Sequence, residues 1–240
     1  MNILFTGTSS GIGYGLAKEY LNRGAKVWGI SRRDQNEFNS KNYSHINLDV
    51  TDHKKTREEI PEFVKGVKEF DLVVLNAGIL GNIKLMHEID IDSMKEVVEI
   101  NVWSNKLLLD ILLFDLKIKI KQVTGMSSKA SIRSTPGWGP YSMSKAGLNM
   151  LMNIYAKEYP ETHFSSFAPG LVDTEIQESI YQMKDTDKYP TLEKMHKARH
   201  TDLMPDAINV APKLIAGIKR ALEHENGGFV DVRDMEGLGY

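Results

Sequence analysis

The chain has 240 residues and a mass of 27.1 kDa, room for one large domain with a substantial core. Its 30 basic and 32 acidic residues are spread along the sequence and leave a formal charge of -2, which excludes an electrostatic platform for nucleic acid or an anionic membrane and points to a small-molecule partner. The absence of cysteine excludes disulfides, thiolate catalysis and cysteine-ligated metals, and is compatible with a reducing compartment.

The N-terminus opens Met1-Asn2-Ile3-Leu4-Phe5 and turns glycine-rich by Gly7, so it carries no basic segment followed by a long apolar core. Nowhere do about eighteen apolar residues run together, and the expectation is a cytoplasmic protein. The histidines include no HExxH, and the closest pair, His196 and His200, lies in a polar stretch; no metal site is expected.

In chain order, the predicted elements begin with a strand at Ile3-Leu4-Phe5 and a helix from Ile12 to Arg23 closed by Gly24. Strands follow at Lys26 to Ile30, His45 to Leu48 and Leu72 to Leu75, and then a single helix from Asp92 to Phe114. A strand at Gln122 to Thr124 precedes a helix from about Tyr141 to Tyr159, stopped by Pro160, and the last strands are Phe164 to Phe167 and Phe229 to Val232. Seven strands with helical crossovers predict an α/β, doubly wound Rossmann-type domain over 1–240, with a mostly parallel sheet covered on both faces. Its ligands should bind beyond the carboxyl ends of the strands. The stretch 175–207 has no clear strand and reads either as an excursion that covers the substrate or as a surface loop.

The first strand runs through Thr6-Gly7-Thr8-Ser9-Ser10-Gly11-Ile12-Gly13 straight into a helix, which places free N–H groups and the positive helix end at a turn, an anion site. Gly7 suits the tight turn, Gly11 the approach of a pyrophosphate and Gly13 close packing of helix on strand, although the spacing is GxxxGxG rather than GxGxxG. The second strand ends Ile30-Ser31-Arg32-Arg33, with no carboxylate before Asp34 to take a ribose diol. Arg32 offers a planar cation suited to a 2′-phosphate, so the pattern favours NADPH over NADH; the alternative is that Arg32 and Arg33 are solvated surface charge. Further on, Tyr141-Ser142-Met143-Ser144-Lys145 sets a phenol and an ammonium at i and i+4 on one helix face, where the cation should lower the phenol pKa toward the range of a general acid.

Taken together, the ordered motifs resemble the short-chain dehydrogenase/reductase family along nearly the whole chain: Thr6 to Gly13, Asp49-Val50-Thr51, Asn76-Ala77-Gly78, Asn101, Ser127-Ser128, Tyr141 to Lys145 and Pro169-Gly170-Leu171-Val172-Asp173-Thr174. The resemblance implies that Ser128 hydrogen-bonds the substrate oxygen beside the proton donor Tyr141, with Ser127 a non-catalytic neighbour. It further implies that Lys145 holds the nicotinamide ribose and that Asn101 holds a water for proton supply. Cofactor contacts implied are Gly7, Ser9, Ser10, Gly11, Ile12 and Gly13 at the pyrophosphate, Ser31 and Arg32 at the ribose phosphate, Asp49 and Val50 at the adenine, and Asn76, Ala77 and Gly78 along the adenosine side. Pro169, Gly170, Val172 and Thr174 would lie at the carboxamide. Asp49 could instead cap the helix after Thr51, and Asn76 and Thr174 could be ordinary turn residues.

The C-terminal third is most similar to the sepiapterin and benzil reductase group, where the matching Asp231 would anchor substrate; otherwise Asp231 is a residue at a strand end. The implied function is NADPH-dependent reduction of a ketone or aldehyde to an alcohol, with an NAD-dependent alcohol dehydrogenase or a non-catalytic cofactor-binding regulator as the alternatives. Leu107, Leu108, Leu109, Leu112 and Leu113, with Leu148, Met150, Leu151 and Met152, exceed one buried helical stripe and suggest helix-to-helix contacts in a homodimer or homotetramer.

Overall fold

Each short apolar run of the sequence becomes a strand. The protein is represented by a computed structural model that describes residues 1–33, 38–183 and 188–238; Asp34 and the middle of the 175–207 excursion lie outside them. In chain order the elements are β1 (Asn2–Thr6), α1 (Gly11–Asn22), β2 (Lys26–Ser31), β3 (Tyr43–Asn47), α2 (His53–Phe63), β4 (Glu69–Phe70), β5 (Leu72–Leu75), α3 (Ile91–Val98) and α4 (Ser104–Leu109). They continue as β6 (Lys119–Ile120), β7 (Gln122–Met126), α5 (Gly139–Glu158), β8 (His163–Ala168), α6 (Glu175–Tyr181), α7 (Pro190–Ala198), α8 (Ala207–Arg220) and β9 (Phe229–Asp231).

A seven-stranded sheet runs β3-β2-β1-β5-β7-β8-β9 with every pairing parallel, so the doubly wound Rossmann-type fold expected from the alternation is the one observed. The order reverses between β1 and β5, and the crevice beyond their carboxyl ends opens between Gly7 and Asn76.

Successive residues of a strand face opposite sides, which divides β1 between two cores. Leu4 joins Val73, Val123, Leu108, Leu112 and Leu148 under α4 and α5, while Ile3 and Phe5 join Leu16, Val74, Val210 and Leu214 under α1 and α8. Each such side chain, fully removed from water, contributes roughly 1.5–3 kcal/mol.

The segment expected as one helix from Asp92 to Phe114 is helical throughout but switches to π turns at Glu99–Trp103 and Asp110–Asp115. A π turn adds a residue to the turn and rotates every later side chain about the axis. The consequence corrects the reading of the leucine surplus as a subunit contact: Leu107, Leu108, Leu109, Leu112 and Leu113 are all buried in this chain's own core, as are Leu148, Leu151 and Met152. Of the nine, Met150 alone is exposed.

The 175–207 excursion contains α6 and α7, and its two ends are tied together. Asp173 N donates to Pro205 O at 2.9 Å, Arg199 Nε donates to Asp173 Oδ1 at 3.1 Å, and Asp206 caps α8 by accepting from Ile208 N and Asn209 N. Among the described residues no helix is long and apolar enough to cross a membrane.

Candidate active site

A cavity of about 430 Å³ lies at the switch point of the sheet. The loop after β1 forms its floor with Gly7, Ser9, Ser10, Gly11 and Ile12, while the ends of β2 and β3 give Ser31, Arg32, Asp49 and Val50. Asn76, Ala77 and Gly78 after β5, and Thr174 before α6, complete the expected residues that line it. Gly13 does not line it but sets its shape: a Cβ there would fall 2.1 Å from Gly7 O and 2.5 Å from Asn76 Nδ2. Gly7 itself holds φ +75, which a side chain resists. The loop is pinned from below, because Asn76 Nδ2 donates to both Thr6 O and Gly7 O at 3.1 Å, and Thr6 Oγ1 accepts from Asn76 N and Ala77 N at 2.9 Å. Asn76 is therefore a girder of the turn as well as part of its wall. A glycine turn feeding the N-terminus of a twelve-residue helix fits a dinucleotide pyrophosphate.

The adenosine end holds more charge than the motif alone suggests. Arg32 is exposed, and its positive charge acts on Asp49. Burial raises the Asp49 pKa, but hydrogen bonds from Thr51 N and Oγ1 together with Arg32 outweigh it, and the carboxyl sits below its ordinary value. Asp49 does not cap α2; Asp52 does, accepting from Lys55 N at 3.0 Å. The Ser31 hydroxyl donates to Arg33 O at 2.9 Å and meets His45 Nε2 at 2.8 Å, so it is engaged with its own loop. Arg33, read above only as possible surface charge, also lines the cavity: its guanidinium donates to Ser10 Oγ at 2.9 Å and to both Glu175 oxygens at 3.0 Å. Glu175 was not anticipated, because its pairing with Arg33 spans the cleft and leaves no mark in local sequence.

Beyond Gly78 the site changes character. Lys145 is buried, its Nζ donates to Met126 O at 2.7 Å, and desolvation pushes its pKa down to about 8. The same Nζ sits 5.6 Å from the centroid of the Tyr141 ring, on the shared helix face that the i, i+4 spacing requires. The expected lowering of the Tyr141 pKa is not the net result. Desolvation around the phenol raises it, and the hydrogen bond with Ser128 offsets that only in part. The raised pKa keeps the phenol protonated near neutral pH, the form a proton donor starts from, while making it a weaker acid than a free tyrosine.

Ser128 follows β7 and caps the short turn Lys129–Ser131, accepting from Ala130 N at 3.2 Å. Asn149, one helical face of α5 away, steadies it from both sides: Ser127 Oγ donates to Asn149 Oδ1 at 2.6 Å and Asn149 Nδ2 donates to Ser131 Oγ at 2.8 Å. Ser127 is thus a buried neighbour whose hydroxyl is occupied by Asn149.

Asn101 is committed within the fold. Its side chain is fully buried in the first π turn, where Oδ1 accepts from Ile79 N at 2.8 Å and Nδ2 donates to Ile79 O and Ser144 Oγ at 2.9 Å. With both amide donors used, it acts as a clasp between α3–α4, the loop after Gly78 and α5. Pro169, Gly170 and Val172 follow β8 outside the cavity lining, and the Val172 side chain belongs to the core under α8, so only its backbone could face a cofactor.

Asp231 is held by its own loop. It is nearly fully buried, and its carboxylate accepts from Arg233 N at 3.0 Å, Nε at 2.9 Å and Nη2 at 2.6 Å, with Lys129 Nζ at 3.8 Å. Burial raises its pKa, yet these partners hold it below the ordinary carboxylate value. A substrate amine edge would compete with Arg233 for these oxygens.

The space next to Tyr141 is filled by apolar side chains from three parts of the chain: Leu80 and Ile83, Trp138, and Ile180, Tyr189 and Leu192 of the excursion. The excursion therefore packs against Tyr141.

Residues 1–185 match the family described as short chain dehydrogenase. An uncharacterized oxidoreductase of Schizosaccharomyces pombe is 34% identical over 184 residues, 74% of this chain and 73% of the relative. A benzil reductase ((S)-benzoin forming) of Bacillus cereus is 30% identical over 203 residues, 77% of this chain and 81% of the relative. The crystal structure of the YIR035C short chain dehydrogenases/reductase from Saccharomyces cerevisiae superimposes with a TM-score of 0.85 at 27% identity, covering 99% of this chain and 97% of that one.

Proposed function

This chain belongs to the short-chain dehydrogenase family of oxidoreductases, and from that premise we propose that it is an NADPH-dependent reductase of aromatic ketones and diketones, acting in the cytoplasm. The observation that carries the reading is the grouping of Tyr141, Lys145 and Ser128 beside an apolar cluster, outside the cavity lining but next to it, since a Cβ on the wall residue Gly78 would lie 3.3 Å from Lys145 Nζ. The cofactor supplies the hydride. Ser128 and Tyr141 hold the carbonyl oxygen, and Tyr141 gives it a proton as charge develops there. Lys145, a buried cation behind the phenol, stabilises the phenolate left behind and holds ribose hydroxyls. Asn101 and Asn149 keep these groups in register.

Preference for NADPH is supported by Arg32 and Arg33 at the adenosine end and by the absence of an acid at Ser31. Preference for an aromatic carbonyl is supported by the Leu80, Ile83, Trp138 and Tyr189 surround and by the similarity to benzil reductases. We also propose a homo-oligomer, now through exposed Met143, Met150 and Ile154 along one face of α5, together with exposed Trp103. Light scattering at micromolar concentration that shows only the 27.1 kDa species contradicts this assembly.

The test is a steady-state assay with benzil, simple aryl ketones and aliphatic ketones, each with NADPH and with NADH, followed by cofactor absorbance. The expected result is NADPH oxidation with aryl carbonyls at a higher kcat/KM than with NADH. Oxidation of alcohols with NAD and no reduction of any carbonyl contradicts the proposal.

A further inference from the structure

Trp138 immediately precedes α5, three positions before Tyr141, and is nearly fully buried. Its position is tightly set: Gly137 holds φ +88, and a Cβ there would meet the Tyr189 ring at 2.7 Å. The indole packs edge-on against Tyr141 with ring centroids 6.0 Å apart, inside the cluster of Leu80, Ile83, Tyr189 and Leu192. Within those surroundings its Nε1 is buried and makes no hydrogen bond.

The other buried side-chain polar atoms in that condition among the described residues are the hydroxyls of Thr56, Ser142 and Ser166, and Glu99 Oε1. A hydroxyl can rotate or switch between donor and acceptor, and Glu99 Oε1 lies 2.6 Å from His53 Nε2. An indole N–H can do neither: it only donates, in a direction fixed by the ring. A buried donor left unmade is costly, and the cost is recovered when a ligand brings the acceptor.

We infer that Trp138 Nε1 is a specificity-determining donor to a second oxygen on the substrate, the one adjacent to the carbonyl that is reduced, so that the site selects vicinal dicarbonyls over simple ketones. This rests on the reading of Tyr141 as proton donor. In the reaction the carbon of the reacting carbonyl takes the hydride, its oxygen takes the Tyr141 proton, the C=O π bond becomes one C–H and one O–H bond, and the cofactor leaves oxidised. The second carbonyl stays a carbonyl, held by an N–H that remains intact.

Benzil and deoxybenzoin differ by that one oxygen and are the probes. In the wild-type protein kcat/KM with NADPH should favour benzil by about tenfold or more. Trp138→Phe, which keeps an aromatic ring and removes the N–H, should bring the benzil-to-deoxybenzoin ratio of kcat/KM to about one, by lowering benzil more than deoxybenzoin; the ratio cancels any packing loss that both ketones share. Equal losses for both ketones, or an unchanged preference, overturn the inference. If the wild-type protein reduces neither ketone, the Tyr141 reading fails first, and the indole decides the rest. The Trp138 N–H resonance of 15N-labelled protein, identified by its absence in Trp138→Phe, should move downfield with benzil and NADP+ and stay in place with deoxybenzoin. An unmoved resonance with benzil overturns the inference by itself.

Discussion

The two ends of the site are built on opposite principles. The cofactor end is an open cavity walled by glycines and by polar, charged and apolar side chains, many of them delivered by loops at the carboxyl ends of strands. The reacting end is closed around Tyr141 by apolar side chains drawn from residues more than a hundred positions apart, with Lys145 buried as the one cation behind the phenol. A cofactor used by many enzymes calls for a standard cradle, whereas a particular ketone calls for a shape. The difference teaches that substitutions at the first end should act on affinity for the cofactor, and those at the second on turnover and substrate choice.

The largest expected break is at the cradle. Gly13→Ala places a Cβ against Gly7 O and Asn76 Nδ2, contacts that cannot relax without moving the loop. Overpacking of about 3 kcal/mol corresponds to a loss of NADPH affinity on the order of 100-fold. Fluorescence titration with far-ultraviolet circular dichroism as a folding control checks it, and wild-type affinity would show that the loop has another geometry.

Arg32→Asp should weaken NADPH binding by about 1–3 kcal/mol through a lost phosphate contact and an added repulsion, while NADH is affected far less. An unchanged NADPH dissociation constant would remove Arg32 from the site.

At the reacting end the comparison is sharpened by pH. Burial disfavours the charged form of Lys145, so its proton leaves as pH rises through about 8, while Tyr141, pushed above its ordinary value, stays protonated there. The free-enzyme kcat/KM should therefore fall about tenfold per pH unit above that point, with NADPH oxidation as the readout. A flat profile to pH 10 would show that the Lys145 charge is not used.

The smallest effect belongs to Glu175. Its pairing with Arg33 is solvent-exposed on both sides and worth about 1 kcal/mol or less. Glu175→Gln should free Arg33 for the ribose phosphate and tighten NADPH by about twofold to fivefold, without changing turnover; weaker binding would mean that the pair instead holds the cradle shut.

The same division explains what the sequence discloses. The strands, the glycine turn and the Tyr141–Lys145 spacing are local patterns with local physical causes, and each is found where the pattern puts it. Less visible were features decided across the fold. The two π turns that bury Leu107 to Leu113 change hydrogen-bond partners without changing composition. Asp231 reads as a free carboxylate at a strand end until Arg233 folds back on it. Asn149 looks like an ordinary helical residue and Trp138 like an ordinary loop residue, and only packing shows that one steadies the Ser128 turn and the other meets the Tyr141 ring. At Tyr141, spacing discloses a nearby cation but not the desolvation that raises its pKa.

The central claim is that Tyr141 delivers the proton at an end of the site distinct from the one that holds the cofactor. Single-turnover hydride transfer from bound NADPH to benzil, measured in Tyr141→Phe between pH 6 and pH 9, tests it most directly. The account predicts NADPH affinity within about twofold of wild type and transfer slowed by a factor of about 100 or more, since the substitution removes only the hydroxyl. Transfer at close to the wild-type rate across that range, with the cofactor bound normally, would contradict it.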